Sequence, residues 1–301
     1  MSGRTEALAP RTIADLLPRL CFRRGRKARP SRVACRVTAK RVTSALRLWR
    51  DHRMNRVKDM LKAGETAVGT TAGIASEARF LAGSGFDFLL FDTQHSTDDI
   101  KGLARPVASM RGANAIPIIR VGDLRPDQIC YALDVGAKGI VVPMVNTAAQ
   151  AADMVKWCKY PFEGERSSAG MRGEWGEFSS YREYMDAVNE QLLIIPMIET
   201  QEALDGIEDI LAVPGIDVLL VGPSDLSINI DVALDYENPK YHAALDRIGS
   251  ACQAAGVAAG MFFVPPGISP AQLQEKGFRF FTLPWQGWAM EGIGKGLAGV
   301  R

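Results

Sequence analysis

A handful of polar side chains close or follow short apolar runs, and their types suit metal-assisted chemistry on an oxygen-rich substrate. Asp92 and His95 follow Phe-Asp-Phe-Leu-Leu-Phe, Arg120 follows Ile-Pro-Ile-Ile, Glu199 follows Leu-Leu-Ile-Ile-Pro-Met-Ile, and Asp225 follows Val-Leu-Leu-Val through Gly222-Pro223-Ser224. Glu199 and Asp225 offer two hard carboxylate ligands with no cysteine nearby. That set matches Mg²⁺ or Mn²⁺, which keep several waters, better than zinc. Only His95 and His242 lie in the body of the chain, and His242 falls in a helical pattern away from any strand end, so a His-rich zinc site is hard to build. A Schiff-base mechanism needs a lysine emerging near a strand's C-terminal end. Lys138 instead precedes its strand, Lys156 and Lys159 fall on a helix, and Lys240, Lys276 and Lys295 lie in helices or tail. If the site stabilises an enolate, a metal and Arg120 must be its electrophiles.

Each of these residues alone has an ordinary structural explanation. Asp225 can cap a helix, Glu199 can sit in a first turn, Arg120 can be a solvated cation, and a lone His is more often structural than catalytic. What strengthens the chemical reading is the elements that carry them. From residue 65 onward, short apolar runs alternate with longer segments of helical period, as βα units with a sheet buried on both faces require. Eight strands are expected at Ala67–Thr71, Phe86–Asp92, Ile116–Val121, Gly139–Val145, Leu192–Glu199, Val218–Gly222, Ala258–Phe263 and Arg279–Leu283. Helices are expected at Ala75–Ser84, Thr97–Arg111, Pro126–Val135, Thr147–Lys159, Glu202–Leu211, Pro239–Ala255 and Pro270–Lys276.

Eight strands in one body of about 250 residues point to an α/β fold, a parallel (β/α)8 TIM barrel, rather than an open doubly wound sheet. No G-x-G-x-x-G follows the first strand, which removes the main support for a dinucleotide fold. The string Gly292-Ile-Gly294-Lys-Gly296 follows no strand and reads as flexible tail or helix end. In a barrel, active residues stand at the C-terminal strand ends; the singled-out side chains then share one mouth.

The formal charge of +2 conceals an uneven distribution. Residues 1–53 hold 15 Lys and Arg against Glu6, Asp15 and Asp51, a net of +12, which leaves −10 for the rest. The basic segment lacks a folded motif and interleaved aromatics, so no nucleic-acid partner is expected. This Arg-rich extension reads as a transit-type presequence, a disordered arm or, the favoured reading, an extension upstream of the natural start, with the barrel domain spanning 54–301 from Met54 and a first helix over Met54-Asn-Arg-Val-Lys-Asp-Met-Leu-Lys. Five scattered cysteines without a C-x-x-C suggest neither disulfides nor a thiolate site, and fit a reducing, cytoplasmic setting. No apolar run approaches the ~20 residues that span a bilayer, so no membrane association is expected. One connection, Tyr160 to Glu190, is too long for a plain loop; it carries Arg166, Arg172, Glu174, Trp175 and Arg182, and is expected either to fold over the mouth or to support a subunit contact.

Several stretches in order resemble the HpcH/HpaI aldolase family, the class II pyruvate aldolases that include 4-hydroxy-2-oxoheptanedioate aldolase. They are Gly85-Phe-Asp-Phe-Leu-Leu-Phe-Asp92-Thr-Gln-His95, Pro117-Ile-Ile-Arg120, Leu133-Asp134-Val-Gly136-Ala, Val142-Pro143-Met144-Val145, Tyr160-Pro161 with Gly164-Glu-Arg166, Ile198-Glu199-Thr200 and Val221-Gly222-Pro223-Ser224-Asp225-Leu226-Ser227. The resemblance covers roughly residues 56–298. It implies that Glu199 and Asp225 bind a divalent cation, Mg²⁺, Mn²⁺ or Co²⁺, that chelates a keto acid. It further implies that Arg120 hydrogen-bonds the keto oxygen, that His95, oriented by Asp92, is the general base, and that the backbone around Gly222, Pro223 and Ser224 seats the substrate carboxylate. In the family Asp134 lies near a neighbouring subunit's site, and members are homo-oligomers, typically hexamers that exchange a C-terminal helix; Gly287–Val300 is the corresponding segment here.

The chain departs from the family at Gln94, where many members carry Glu, at Met197, which replaces a polar residue, and at Trp285 and Trp288, where smaller residues are frequent. The activity so implied is retro-aldol cleavage of a 4-hydroxy-2-oxo acid to pyruvate and an aldehyde, with a keto acid and an aldehyde as small-molecule partners. Two alternatives share the barrel: a phosphoenolpyruvate-using or citrate-lyase-like C–C enzyme, and a catalytically idle binding subunit. The latter would show a broken Glu199/Asp225 or Asp92/His95 set, and all four are intact.

Overall fold

A computed structural model describes residues 55–300; the basic extension and Met54 lie outside the described residues. Eight parallel strands close in sequence order into a barrel. They are β1 (Ala67–Ala72), β2 (Phe88–Asp92), β3 (Ile116–Arg120), β4 (Gly139–Val142), β5 (Leu193–Ile198), β6 (Val218–Val221), β7 (Ala258–Met261) and β8 (Phe278–Thr282). The helices are α1 (Arg56–Lys62), α2 (Ala78–Gly83), α3 (Ala104–Ser109), α4 (Pro126–Asp134), α5 (Ala148–Cys158), α6 (Tyr181–Gln191), α7 (Gln201–Asp205), α8 (Ile207–Leu211), α9 (Pro223–Asn229), α10 (Pro239–Ala255), α11 (Pro270–Glu275) and α12 (Gln286–Ala298).

The strands are continuous apolar runs because both faces are covered. Along β5, Leu193, Ile195 and Met197 join the interior cluster with Phe88, Leu90, Ile118, Val141, Leu220 and Phe280, while Ile194 and Ile198 pack outward beneath the helices. Phe88 and Phe280 stack at 4.2 Å across β1. Gly69 makes room for them, since a Cβ there would meet the Phe88 ring at 2.3 Å. The helix α1 closes the floor of the barrel: Val57, Met60 and Leu61 pack against the interior cluster. Asn55 caps α1 and bonds the carbonyls of Lys138 and Gln191 at 2.9 and 2.8 Å. Lys58 reaches the Leu192 carbonyl and Asp217, both at 2.9 Å.

The structure redraws several expected elements. Only Ala104–Ser109 of the expected helix 97–111 is helical. Before it, Ser96 bonds the Asp92 carbonyl and Asp99 accepts from the Gly102 amide, local bonds that compete with helix formation, while Asp98 is held by the Ile74 amide, 24 residues away in sequence. The expected helix 202–211 divides at Gly206 into α7 and α8. The glycine-rich string 292–296 is helical, within α12, which buries none of its residues; Met290, Ile293 and Leu297 form an exposed apolar stripe at helical spacing.

The long connection after α5 does not fold over the mouth. Helix α5 runs back antiparallel to the strands, so its C-terminus delivers the chain to the floor side, where β5 begins. There Arg172 bonds the Asp134 carbonyl at 2.8 Å, Arg166 pairs with Asp134 at 3.3 Å, and Lys138, the residue before β4, lies 5.1 Å from the Trp175 ring. Burial pushes the Lys138 amine down to about 8, opposed by the charge of Glu174. Among the described residues no helix is long and apolar enough to cross a membrane, and Cys130, Cys158 and Cys252 are free thiols.

Candidate active site

The register of β2 against β3 sets Asp92 beside Arg120 at the upper edge of the sheet. Asp92 accepts from Arg120 Nε at 2.8 Å and from Nη2 at 2.5 Å, a two-point pair with both side chains largely shielded from solvent. Burial pushes the Asp92 carboxyl up, but the bonds and charge of Arg120, with the amides of Gln94 and His95, outweigh it and hold the group below the ordinary carboxylate value. Arg120 is only 4% exposed. Its Nη1 lies 3.8 Å from Met197 Sδ, and its Cζ sits 4.1 Å over the Phe262 ring.

Glu199 follows the end of β5 and is 2% exposed. The helix-capping role next to it belongs to Thr200, whose hydroxyl accepts from the Ala203 amide, so the Glu199 carboxylate is spared for other work. Its Oε1 accepts from the Met144 amide at 2.7 Å. Its Oε2 lies where a side chain on Gly222 would be, since a Cβ there would stand 1.9 Å away. Burial raises the Glu199 carboxyl, the charge of Asp225 raises it further, and the Met144 amide and Arg120 oppose them. Asp225 sits in the first turn of α9, half-buried, where the amide dipoles of the turn favour a negative charge. Gly222 is the N-cap of that helix and Pro223 its first residue; the Ser224 hydroxyl lies 3.3 Å from the Tyr236 hydroxyl.

These facts fit a divalent cation. A nearly solvent-free carboxylate held beside a second one is costly until a positive charge joins it. Gly222 leaves open the space that Glu199 occupies. Among the described residues no three His, Cys, Asp or Glu converge as a metal cluster; the two carboxylates Glu199 and Asp225 are the kind of sparse oxygen set that Mg²⁺ and Mn²⁺ accept while keeping waters.

His95 stands apart from this set. It lies exposed in the loop after β2, and its tie to Asp92 is through its backbone amide, because the carboxylate is already spent on Arg120. The amide oxygen of Gln94 is buried without a partner among the described residues. The site also includes two residues that sequence reasoning passed over. Met144 holds a left-handed backbone, φ 54°, which aims its amide at Glu199. Its signal in the sequence is the Pro143-Met144 pair closing an apolar strand. Phe262 has no such signal, since a Phe at a strand end reads as core.

A protein-family model described as HpcH/HpaI aldolase/citrate lyase matches residues 71–288. The chain belongs to that family. Its relatives include a hydroxypyruvate/pyruvate aldolase of Roseovarius nubinhibens, 32% identical over 68% of this chain and 82% of that protein. A 4-hydroxy-2-oxo-heptane-1,7-dioate aldolase of Salmonella typhimurium is 32% identical over 73% of this chain and 84% of that protein. A crystal structure of an HpcH/HpaI aldolase/citrate lyase family protein from Burkholderia cenocepacia superposes with a TM-score of 0.71 at 30% identity, covering 82% of this chain and 99% of that one. This HpcH/HpaI family member is therefore an enzyme, a carbon–carbon lyase of the aldolase class.

Proposed function

We propose that this protein is a divalent-metal-dependent aldolase that cleaves 4-hydroxy-2-oxo acids to pyruvate and an aldehyde, and catalyses the reverse addition. The observation that carries the reading is the buried Glu199 carboxylate beside Asp225, facing the charge of Arg120 at one barrel mouth. Glu199 and Asp225 would hold Mg²⁺, Mn²⁺ or Co²⁺. Such a cation would supply Lewis acidity toward the substrate keto acid. Arg120 donates to the keto oxygen and offsets the negative charge that grows there as the C–C bond breaks; Asp92 fixes its guanidinium without neutralising every donor. The main chain at Gly222, Pro223 and Ser224 seats the substrate carboxylate at the start of α9. His95, on its exposed loop, takes the proton of the 4-hydroxyl in cleavage and returns it in addition, with Asp92 positioning the loop through the His95 amide.

We further assign the exposed stripe of α12 to contact between copies of the chain in a homo-oligomer, of hexameric order by resemblance to the family. The test of the chemistry is pyruvate release from 4-hydroxy-2-oxo acids, and aldol addition of pyruvate or hydroxypyruvate to a panel of aldehydes. Activity should appear with Mg²⁺, Mn²⁺ or Co²⁺ and vanish in EDTA. Full activity in chelator refutes the metal role, and an unchanged rate in Arg120→Ala refutes the assignment of that residue.

A further inference from the structure

Arg120 stands on β3 and Phe262 directly follows β7, four strands away in an eight-strand ring, so their contact crosses the mouth. The Phe262 amide donates to the Val221 carbonyl at 3.0 Å, which fixes the base of the ring to the end of β6 beside Gly222. The guanidinium is thus enclosed on three sides. Asp92 engages Nε and Nη2, Cζ lies over the Phe262 ring at 4.1 Å, and among the described residues Nη1 meets only the Met197 thioether at 3.8 Å. A thioether is a weak acceptor, so Nη1 is held in place without spending its donors.

We propose that Phe262 is a positioning residue that lays the Arg120 guanidinium flat across the mouth and keeps water from it, leaving Nη1 to donate to the substrate oxygen. The inference rests on the reading of Arg120 as a substrate-binding group. The negative face of an aromatic ring attracts a cation, and the attraction grows when both are shielded from water. An aliphatic side chain of similar size packs but carries no such face. Met197 completes the arrangement: a carbonyl or carboxylate in its place would compete with substrate for Nη1.

The experiment compares Phe262→Leu with Phe262→Tyr in the full chain. Steady-state cleavage yields kcat and KM for the keto acid. Phenylglyoxal labelling of the metal-free protein, mapped by peptide mass, reports the accessibility of Arg120 without turnover. The expected result for Leu is a loss in kcat/KM of about tenfold, equivalent to about 1.4 kcal/mol, with labelling of Arg120 several-fold faster; Tyr should restore both toward the parent values. Parent-like behaviour of the Leu variant overturns the proposal, as does an equal loss in Leu and Tyr, which would mean that packing and not the ring face matters. Arg120→Ala separates the two levels of inference: if it is silent, the reading of Arg120 fails, whereas if it is inactive and Leu is silent, only the role of Phe262 fails.

Discussion

Replacing Glu199 by Gln should reverse the order of thermal stability depending on whether metal is present. In metal-free protein the carboxylate is 2% exposed and faces the like charge of Asp225, with the Met144 amide and Arg120 as partial compensation. Glutamine keeps the shape and a carbonyl oxygen that can accept from the Met144 amide, but removes the buried charge. The gain should be about 1 kcal/mol, which for a domain of this size is a rise in Tm of about 2–4 °C. With Mn²⁺ at about a hundredfold over its dissociation constant, the parent gains about 2.7 kcal/mol, or roughly 5–10 °C, and the Gln variant gains little. Calorimetric melting in EDTA and in saturating Mn²⁺ gives the four values needed. A Gln variant that melts below the parent in EDTA, or that gains as much from Mn²⁺, would refute the argument that Glu199 is a strained ligand.

Asp92→Asn leaves Arg120 buried without its charge partner and should cost about 3 kcal/mol at pH 7. Because the folded Asp92 value lies below the ordinary one, the parent's advantage is complete above the unfolded value near ~4 and is lost as pH falls through the lowered folded value; denaturant melts taken from pH 7 down to pH 3 should show the gap begin to narrow below the unfolded value, and a gap unchanged at pH 3 counts against the pairing. Gly222→Ala places a Cβ 1.9 Å from Glu199 Oε2 and should weaken Mn²⁺ binding by more than about tenfold, the cost of a displaced ligand; titration calorimetry showing parental affinity would contradict the cradle. Ile293→Asp puts a charge into the exposed stripe of α12 and should lower the mass measured by light scattering; an unchanged mass would place the subunit contact elsewhere.

The barrel was readable because a parallel sheet covered on both faces leaves only apolar runs. Every expected strand is present with ends within three residues of those predicted. Arg120, Glu199 and Asp225 were visible as polar residues interrupting or following those runs. The helix 97–111 was misjudged because Ser96, Asp98 and Asp99 bond main chain, and residue type does not reveal which partner a short polar side chain takes. The direction of the long connection was knowable in principle: an excursion after a helix and before a strand must lie on the floor side. The alliance of Asp92 with Arg120 rather than with the His95 ring depends on strand register, which pairs residues 28 apart in sequence. The contact of Phe262 with Arg120 depends on closure of the ring, and no local pattern carries it.

The floor of the barrel has a consequence for how the chain is made. Asn55 and Lys58 emerge early from the ribosome, yet the carbonyls of Gln191 and Leu192 that they bind follow 136 and 134 residues later, and the Asp217 partner of Lys58 later still. Of the main-chain carbonyls that Asn55 and Lys58 bind, only that of Lys138 is made well before β5, so until β5 begins α1 lacks most of its seat and the lower interior around Phe88 and Ile118 is incomplete. Such long-range closure slows folding and exposes apolar surface while it is pending. A barrel still lacking its last strands is an unsealed arc, since closure pairs β8 with β1. A chaperone that recognises apolar segments would meet it during that interval, and not after the last strands have joined.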